Sequence, residues 1–240
     1  MCKNKKEGES SMSIRSQMAR VVYGLCCFVT IAYAQTPVII SIGESCTGAT
    51  ILRTLGLRHE AYPFDWVISE FDPLYAVFAD DFQYFFDHRY LQMVPDGSAV
   101  IDYYGISFRH DLPTTNYNYE RDDGNLPNEG TLCENWRDYV PNAYAKYRRR
   151  IERLHKVLSS TNKVYLLRYA GIDKKSAIKL RNVIHEQYPK LDFTLVMVAH
   201  DREFCSDWNK KRIKNFYFSR PAEWQDLNQW RPIFKTLGLL

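Results

Sequence analysis

KVYLLRYAGIDKKSAIKLRNVIHEQYPKLDFTLVMVA, Lys163–Ala199, sets a helical pattern between two apolar runs of strand length. The runs KVYLLRY (163–169) and DFTLVMVA (192–199) are apolar with little interruption, as strands covered on both faces are. KKSAIKLRNVIHEQY (174–188) reads as the helix that crosses between them. A third strand follows in IKNFYFS (213–219), and a closing helix in EWQDLNQWRPIFKTLG (223–238). Upstream, PVIISIG (37–43) is another buried-strand run. Strands alternating with helices predict an α/β fold, a largely parallel sheet with helices on both faces. No repeat and no linker divides the chain, so one domain is expected.

Between the first strand and Lys163 the pattern is more varied. TGATILRTLGL (47–57) carries Ala49, Leu52 and Leu55 at helical spacing and stops at Gly56. FDPLYAVFADDFQYFF (71–86) has the aromatic density of a second helix over the core. AVIDYYGISFRH (99–110) reads as one or two strands broken near Gly105. Residues 111–135 form a long polar stretch with prolines and glycines, the composition of a binding loop or lid. From Ala143 an amphipathic helix puts Tyr144, Tyr147, Ile151, Leu154 and Leu158 on one stripe, with the charges of KYRRRIERLHK opposite as a solvated face.

The chain has 240 residues and a net charge of +4. Lys3, Lys5, Lys6, Arg15 and Arg20 face only Glu7 and Glu9 in the first twenty residues, so the rest is nearly neutral, which argues against a nucleic-acid partner. Basic residues followed by the uncharged run VVYGLCCFVTIAYA (21–34), ending Ala32-Tyr33-Ala34, form the pattern of a secretory signal and its cleavage site. The run is too short for a stable membrane span. Residues 1–34 are therefore expected to be a signal peptide, and 35–240 a periplasmic or secreted domain. Cys2, Cys26 and Cys27 would leave with the leader, and Cys46, Cys133 and Cys205 would stay. If Cys133 pairs with Cys205, Cys46 is the odd thiol. No Cys/His cluster has metal-ligand spacing, and no motif calls for a cofactor.

Cys46 falls between the first strand and the helix after it, where unpaired backbone N–H groups and the helix dipole favour a thiolate and could hold an oxyanion. The packing alternative, a buried inert thiol, is the usual state of an unpaired cysteine, and Glu44 brings a negative charge nearby. A nucleophilic thiol needs a base, and His110 ends a strand on the apolar side that it shares with Ile106 and Phe108. Three carboxylates could orient that imidazole: Asp65, flanked by Phe64 and Trp66, Asp102, and Asp111 next to His110.

The segments SIGESC (41–46), LRTLGLRHEAYPFDWVIS (52–69) and DYYGISFRHD (102–111) resemble a bacterial and viral family of unknown function classed with the papain-like cysteine peptidases. The likeness rests on Gly-x-x-Cys after a strand, Leu-Arg-x-Leu-Gly, Pro-Phe-Asp-Trp and Phe-x-His-Asp, and it spans residues 38–111. RRRIERL (148–154) and VYLLRY (164–169) fit its outline beyond that. It implies Cys46 as nucleophile, His110 as base, Asp65 as a third member, a peptide, amide or ester substrate, and an α+β papain-like fold as the alternative architecture. The papain signature around the cysteine is missing, and the strand–helix alternation departs from the papain arrangement.

Two other readings compete. GESCTGA (43–49) is similar to the opening block of esterases with a serine nucleophile, which would make Ser45 the attacking group, although Glu44 replaces their aspartate and no Asp-x-x-His follows. A non-catalytic secreted domain binding glycan or peptide would line a groove with Tyr103, Tyr104, Tyr117, Tyr119 and Trp136.

Overall fold

All four strands expected at 37–43, 163–169, 192–199 and 213–219 form, and they align in parallel. The structure is a computed structural model that describes residues 36–115, 130–169, 171–220 and 226–240. Residues 1–34, expected as a signal peptide, and Tyr117 and Tyr119 lie outside the described residues. The elements in order are β1 (Val38–Ser41), α1 (Thr47–Thr54), β2 (Val67–Ile68), α2 (Phe71–Ala79), β3 (Gln92–Met93), β4 (Val100–Ile101) and β5 (Ser107–Phe108). Then come α3 (Val140–Leu158), β6 (Lys163–Tyr169), α4 (Lys174–Gln187), β7 (Asp192–Ala199), β8 (Ile213–Tyr217) and α5 (Leu227–Thr236).

The parallel sheet has the order β1-β6-β7-β8. Side-chain alternation along its strands supplies two cores. Ile40, Val164, Leu166, Leu195 and Met197 face the larger one, shared with α2, α3, α4 and a second sheet. Ile39, Tyr165, Leu167, Val196 and Val198 face the smaller one, closed by Ile51 and Leu52 of α1 and by Trp230, Ile233 and Phe234 of α5. Helices thus cover both faces. The second sheet, β2-β5-β4-β3, is antiparallel and built of two-residue strands, so the fold joins a parallel α/β layer to a small antiparallel one. Gln35–Leu240 is one compact unit. Among the described residues no helix is long and apolar enough to cross a membrane.

Two expectations need correction. The aromatic run 71–86 is helical only to Ala79; Asp81, Phe82 and Phe86 take positive φ and turn the chain. Tertiary bonds hold that turn: the buried Asp102 carboxylate accepts the Phe86 N–H, and the Tyr188 hydroxyl donates to Asp81. In α3, Tyr144 lies off the buried stripe and is exposed, whereas Val140 and Ala143 complete it. The segment read as one or two strands broken near Gly105 forms two, β4 and β5, paired antiparallel with Gly105 at φ 87° between them.

Candidate active site

The strands of a parallel sheet end at one edge, where ligands of open α/β sheets bind. At that edge β1 pairs with β6, Ser41 opposite Leu167, and the Ile42 N–H continues the ladder by donating to the Leu167 carbonyl at 2.9 Å. The chain then crosses Gly43–Ser45 and enters α1 with Cys46 as the N-cap residue. Ser41 and Gly48 fix the close approach of strand and helix: a Cβ on Gly48 would lie 2.7 Å from Ser41 Oγ. The Cys46 carbonyl accepts from the Thr50 N–H at 2.9 Å, and its part-buried thiol is free, as are those of Cys133 and Cys205. The conditional Cys133–Cys205 disulfide therefore does not form.

The dipole argument for a depressed thiol pKa is outweighed at Cys46. Burial pushes the thiol above its ordinary 9.0, against the lowering effect of the residue's own backbone N–H. Ser45, the alternative nucleophile, spends its hydroxyl on the helix start: it donates to Thr47 Oγ1 at 3.1 Å and receives the Thr47 N–H at 3.4 Å.

His110 follows β5 in a bend, part-buried. Burial is the main influence that lowers its pKa below 6.5; the Arg109 and Lys146 charges act the same way, and Asp111 opposes them. The neighbouring β2 pairs with β5, Val67 against Phe108, and brings Trp66 beside the imidazole. The two rings meet edge to face at 6.4 Å. Above the same indole sit two guanidinium groups, Arg53 of α1 at 5.4 Å and Arg58 at 5.5 Å. Trp66 is thus the shared wall between the helix that starts at Cys46 and the end of the hairpin that carries His110.

None of the three candidate carboxylates is bonded to that imidazole among the described residues. Asp65, 1% exposed, gives Oδ2 to Arg58 Nε and Nη2, both at 2.9 Å, and to the Tyr62 N–H at 2.8 Å. Asp102 organises the β4–β5 turn, accepting N–H groups of Phe86, Tyr104 and Ile106; burial still pushes its carboxyl up to about 6. Asp111 turns away toward α3, with Lys146 Nζ at 2.9 Å and the Tyr147 hydroxyl at 2.6 Å. Burial alone would raise its pKa, but Lys146, Arg150 and the Tyr147 bond hold it below the usual carboxylate range.

Sequence reasoning missed Arg168. In KVYLLRY it reads as one polar position of a strand, yet it is fully buried at the carboxyl end of β6. A lone charge near the end of an apolar strand was the available signal. Its guanidinium donates to the Ile42 carbonyl (3.3 Å), Ser69 Oγ (3.5 Å) and the Ser69 carbonyl (2.8 Å).

The aromatic groove expected of a binding domain is only partly built. Tyr103 is exposed and packs with Tyr84, Tyr90 and Tyr104. Trp136, in contrast, is buried in the larger core. A 470 Å³ cleft lined by His88, Arg137, Val140, Pro141 and Tyr144 includes neither Cys46 nor His110. Among the described residues no group of three or more His, Cys, Asp or Glu could hold a metal ion.

No curated protein and no solved structure matches the chain. Residues 37–203, which carry the β1–α1 junction, both sheets except β8, and His110, match the family described as "Putative papain-like cysteine peptidase (DUF1796)". The chain belongs to that family.

Proposed function

We propose that the chain is a cysteine hydrolase of amide or ester bonds in peptide-like substrates, with Cys46 as nucleophile and His110 as base. The observation that carries this is Cys46 at the junction of β1 and α1, at the carboxyl edge of the parallel sheet, in a chain of this family. Burial favours the neutral form of both groups, raising the thiol and lowering the imidazole. The resting pair in this reading is thiol and imidazole, not an ion pair. His110 takes the proton from Cys46 Sγ as sulfur attacks the carbonyl carbon, and the N–H groups of the first turn of α1 receive the oxyanion. The imidazolium returns the proton to the leaving amine or alkoxide, and the thioester forms. His110 next deprotonates water, which attacks the thioester; the acid leaves and the proton returns to Cys46.

Asp65 acts in this scheme at one remove. It pins Arg58 over Trp66, and Trp66 holds the His110 ring. Residues 1–34 serve as the export leader, and 35–240 work in the periplasm or outside the cell.

The test is acylation by p-nitrophenyl acetate followed by peptide mapping. An acetyl group on Cys46, released by hydroxylamine and missing in Cys46→Ser, is the expected result. Acetyl on Ser45, or on no residue of this segment, would overturn it.

A further inference from the structure

Arg168 is a buried cation with no carboxylate within ion-pair distance among the described residues. Among the described residues its Nε is buried without a hydrogen-bond partner. Burial drops its pKa to about 10, with Glu44 acting to raise it, so it is charged at neutral pH. Such a group is costly to keep in a protein interior. Among the described residues its bonds go to Ile42, just before the Cys46 turn, and to Ser69.

We propose that Arg168 is the positioning residue of Cys46, its guanidinium fork fixing the peptide planes through which the chain enters α1. The proposal rests on the reading of Cys46 as nucleophile. Nη1 holds the Ile42 carbonyl, which sets the Ile42–Gly43 plane, because a peptide group is planar. Nη1 and Nη2 together hold Ser69 by its hydroxyl and its carbonyl. Ser69 in turn donates its N–H to the Glu44 carbonyl at 2.8 Å, which sets the Glu44–Ser45 plane. The Ser45 N–H, opposite that carbonyl across a planar trans peptide, is thereby directed away from Ser69. Two planes on the approach to Cys46 are fixed through one side chain.

Gly43 explains how the chain passes so close. It sits at φ 86°, and a Cβ there would lie 2.0 Å from Ser69 Oγ and 3.3 Å from Arg168 Nη1. Only a hydrogen fits over the fork. Lysine could supply the charge but not the fork, since its single ammonium cannot span two carbonyls and a hydroxyl from a fixed plane.

The experiment uses the full chain and follows iodoacetamide labelling of Cys46 against pH, with Cys133 and Cys205 in the same sample as internal references. Variants are Arg168→Met, Arg168→Lys, Gly43→Ala and His110→Ala. Arg168→Met and Gly43→Ala are expected to change the Cys46 rate about tenfold or more, the order of a misplaced reacting group, while the reference thiols keep theirs. Arg168→Lys keeps a cation at this position and should fold, yet still fail to restore the native rate and pH profile. If Arg168→Met does not fold, Arg168→Lys and Gly43→Ala carry the test. Native rates and profiles at Cys46 in the Arg168 variants would overturn the proposal, even where His110→Ala slows labelling and the Cys46–His110 pair stands. A change in the Arg168 variants with none in His110→Ala would sustain Arg168 and remove His110.

Discussion

Replacing Asp111 separates a structural carboxylate from a catalytic one. The residue is 1% exposed and binds Lys146 Nζ at 2.9 Å and the Tyr147 hydroxyl at 2.6 Å, with the Arg150 charge close enough to lower its pKa. Asp111→Ala removes the acceptor from a buried hydroxyl and a mostly buried ammonium, a class of change that costs about 3–5 kcal/mol. Lys146 is 19% exposed and can turn partly to water, which favours the lower end. At about 2–4 °C per kcal/mol for a domain of this size, the expected loss in Tm is about 6–12 °C. Asp111→Asn keeps an oxygen for Tyr147 and loses only the charge, for about 1.5–3 kcal/mol. The folded pKa of Asp111 lies below its ordinary 3.8, so this stabilisation is present above pH 3.8 and fades as pH falls through the folded value. The Tm gap between the native chain and Asp111→Asn should therefore close in acid. Because the carboxylate faces α3, Cys46 acylation by p-nitrophenyl acetate should survive in Asp111→Asn. Loss of acylation with Tm unchanged would show that Asp111 serves His110 directly, and the reasoning would fail.

Other expectations follow from the same contacts. Trp66→Ala should cost about 3–5 kcal/mol, as deletion of a buried aromatic does, and proton NMR should find the His110 pKa moved up toward 6.5 as its cover is lost. An unmoved pKa would mean that Trp66 does not desolvate the ring. Carbon-detected NMR should show one carboxyl titrating near pH 6, absent from Asp102→Asn. Since that folded pKa lies above 3.8, ionising Asp102 opposes folding, and stability should fall as pH rises from about 4 to about 6. Asp65→Asn should free Arg58 and slow Cys46 acylation through Trp66, and an equal slowing in Arg58→Met would confirm the shared route.

The parallel layer was legible because its strands are buried on both faces: a run such as DFTLVMVA needs no tertiary knowledge to be read. The second sheet was only half legible. Its strands are two residues long, and beside the local bonds of Asp102 to Tyr104 and Ile106 the layer depends on the Asp102 bond to Phe86, which no local pattern encodes. The early end of α2 has the same cause, since tertiary bonds at Asp81 and Phe86 outweigh the helical pattern of 71–86. At the candidate site, the location of Cys46 at a strand-to-helix junction followed from the sequence, and its electrostatics did not. Helix position argued for a low thiol pKa, while burial, visible only in three dimensions, drives it the other way. The carboxylates were legible as candidates, but their partners, Arg58, Lys146 and a run of backbone N–H groups, were not.

The central claim is that His110 takes the proton from Cys46. The most direct measurement is the rate of Cys46 acetylation by p-nitrophenyl acetate against pH, in the native chain and in His110→Ala. The account predicts an acid limb with its midpoint below 6.5 in the native chain, since protonation disables the base and burial holds that pKa down. In His110→Ala the limb should vanish and the rate near neutrality should drop about 100-fold, the usual contribution of a general base. Superimposable profiles for the two proteins would contradict the claim and remove His110 as the base.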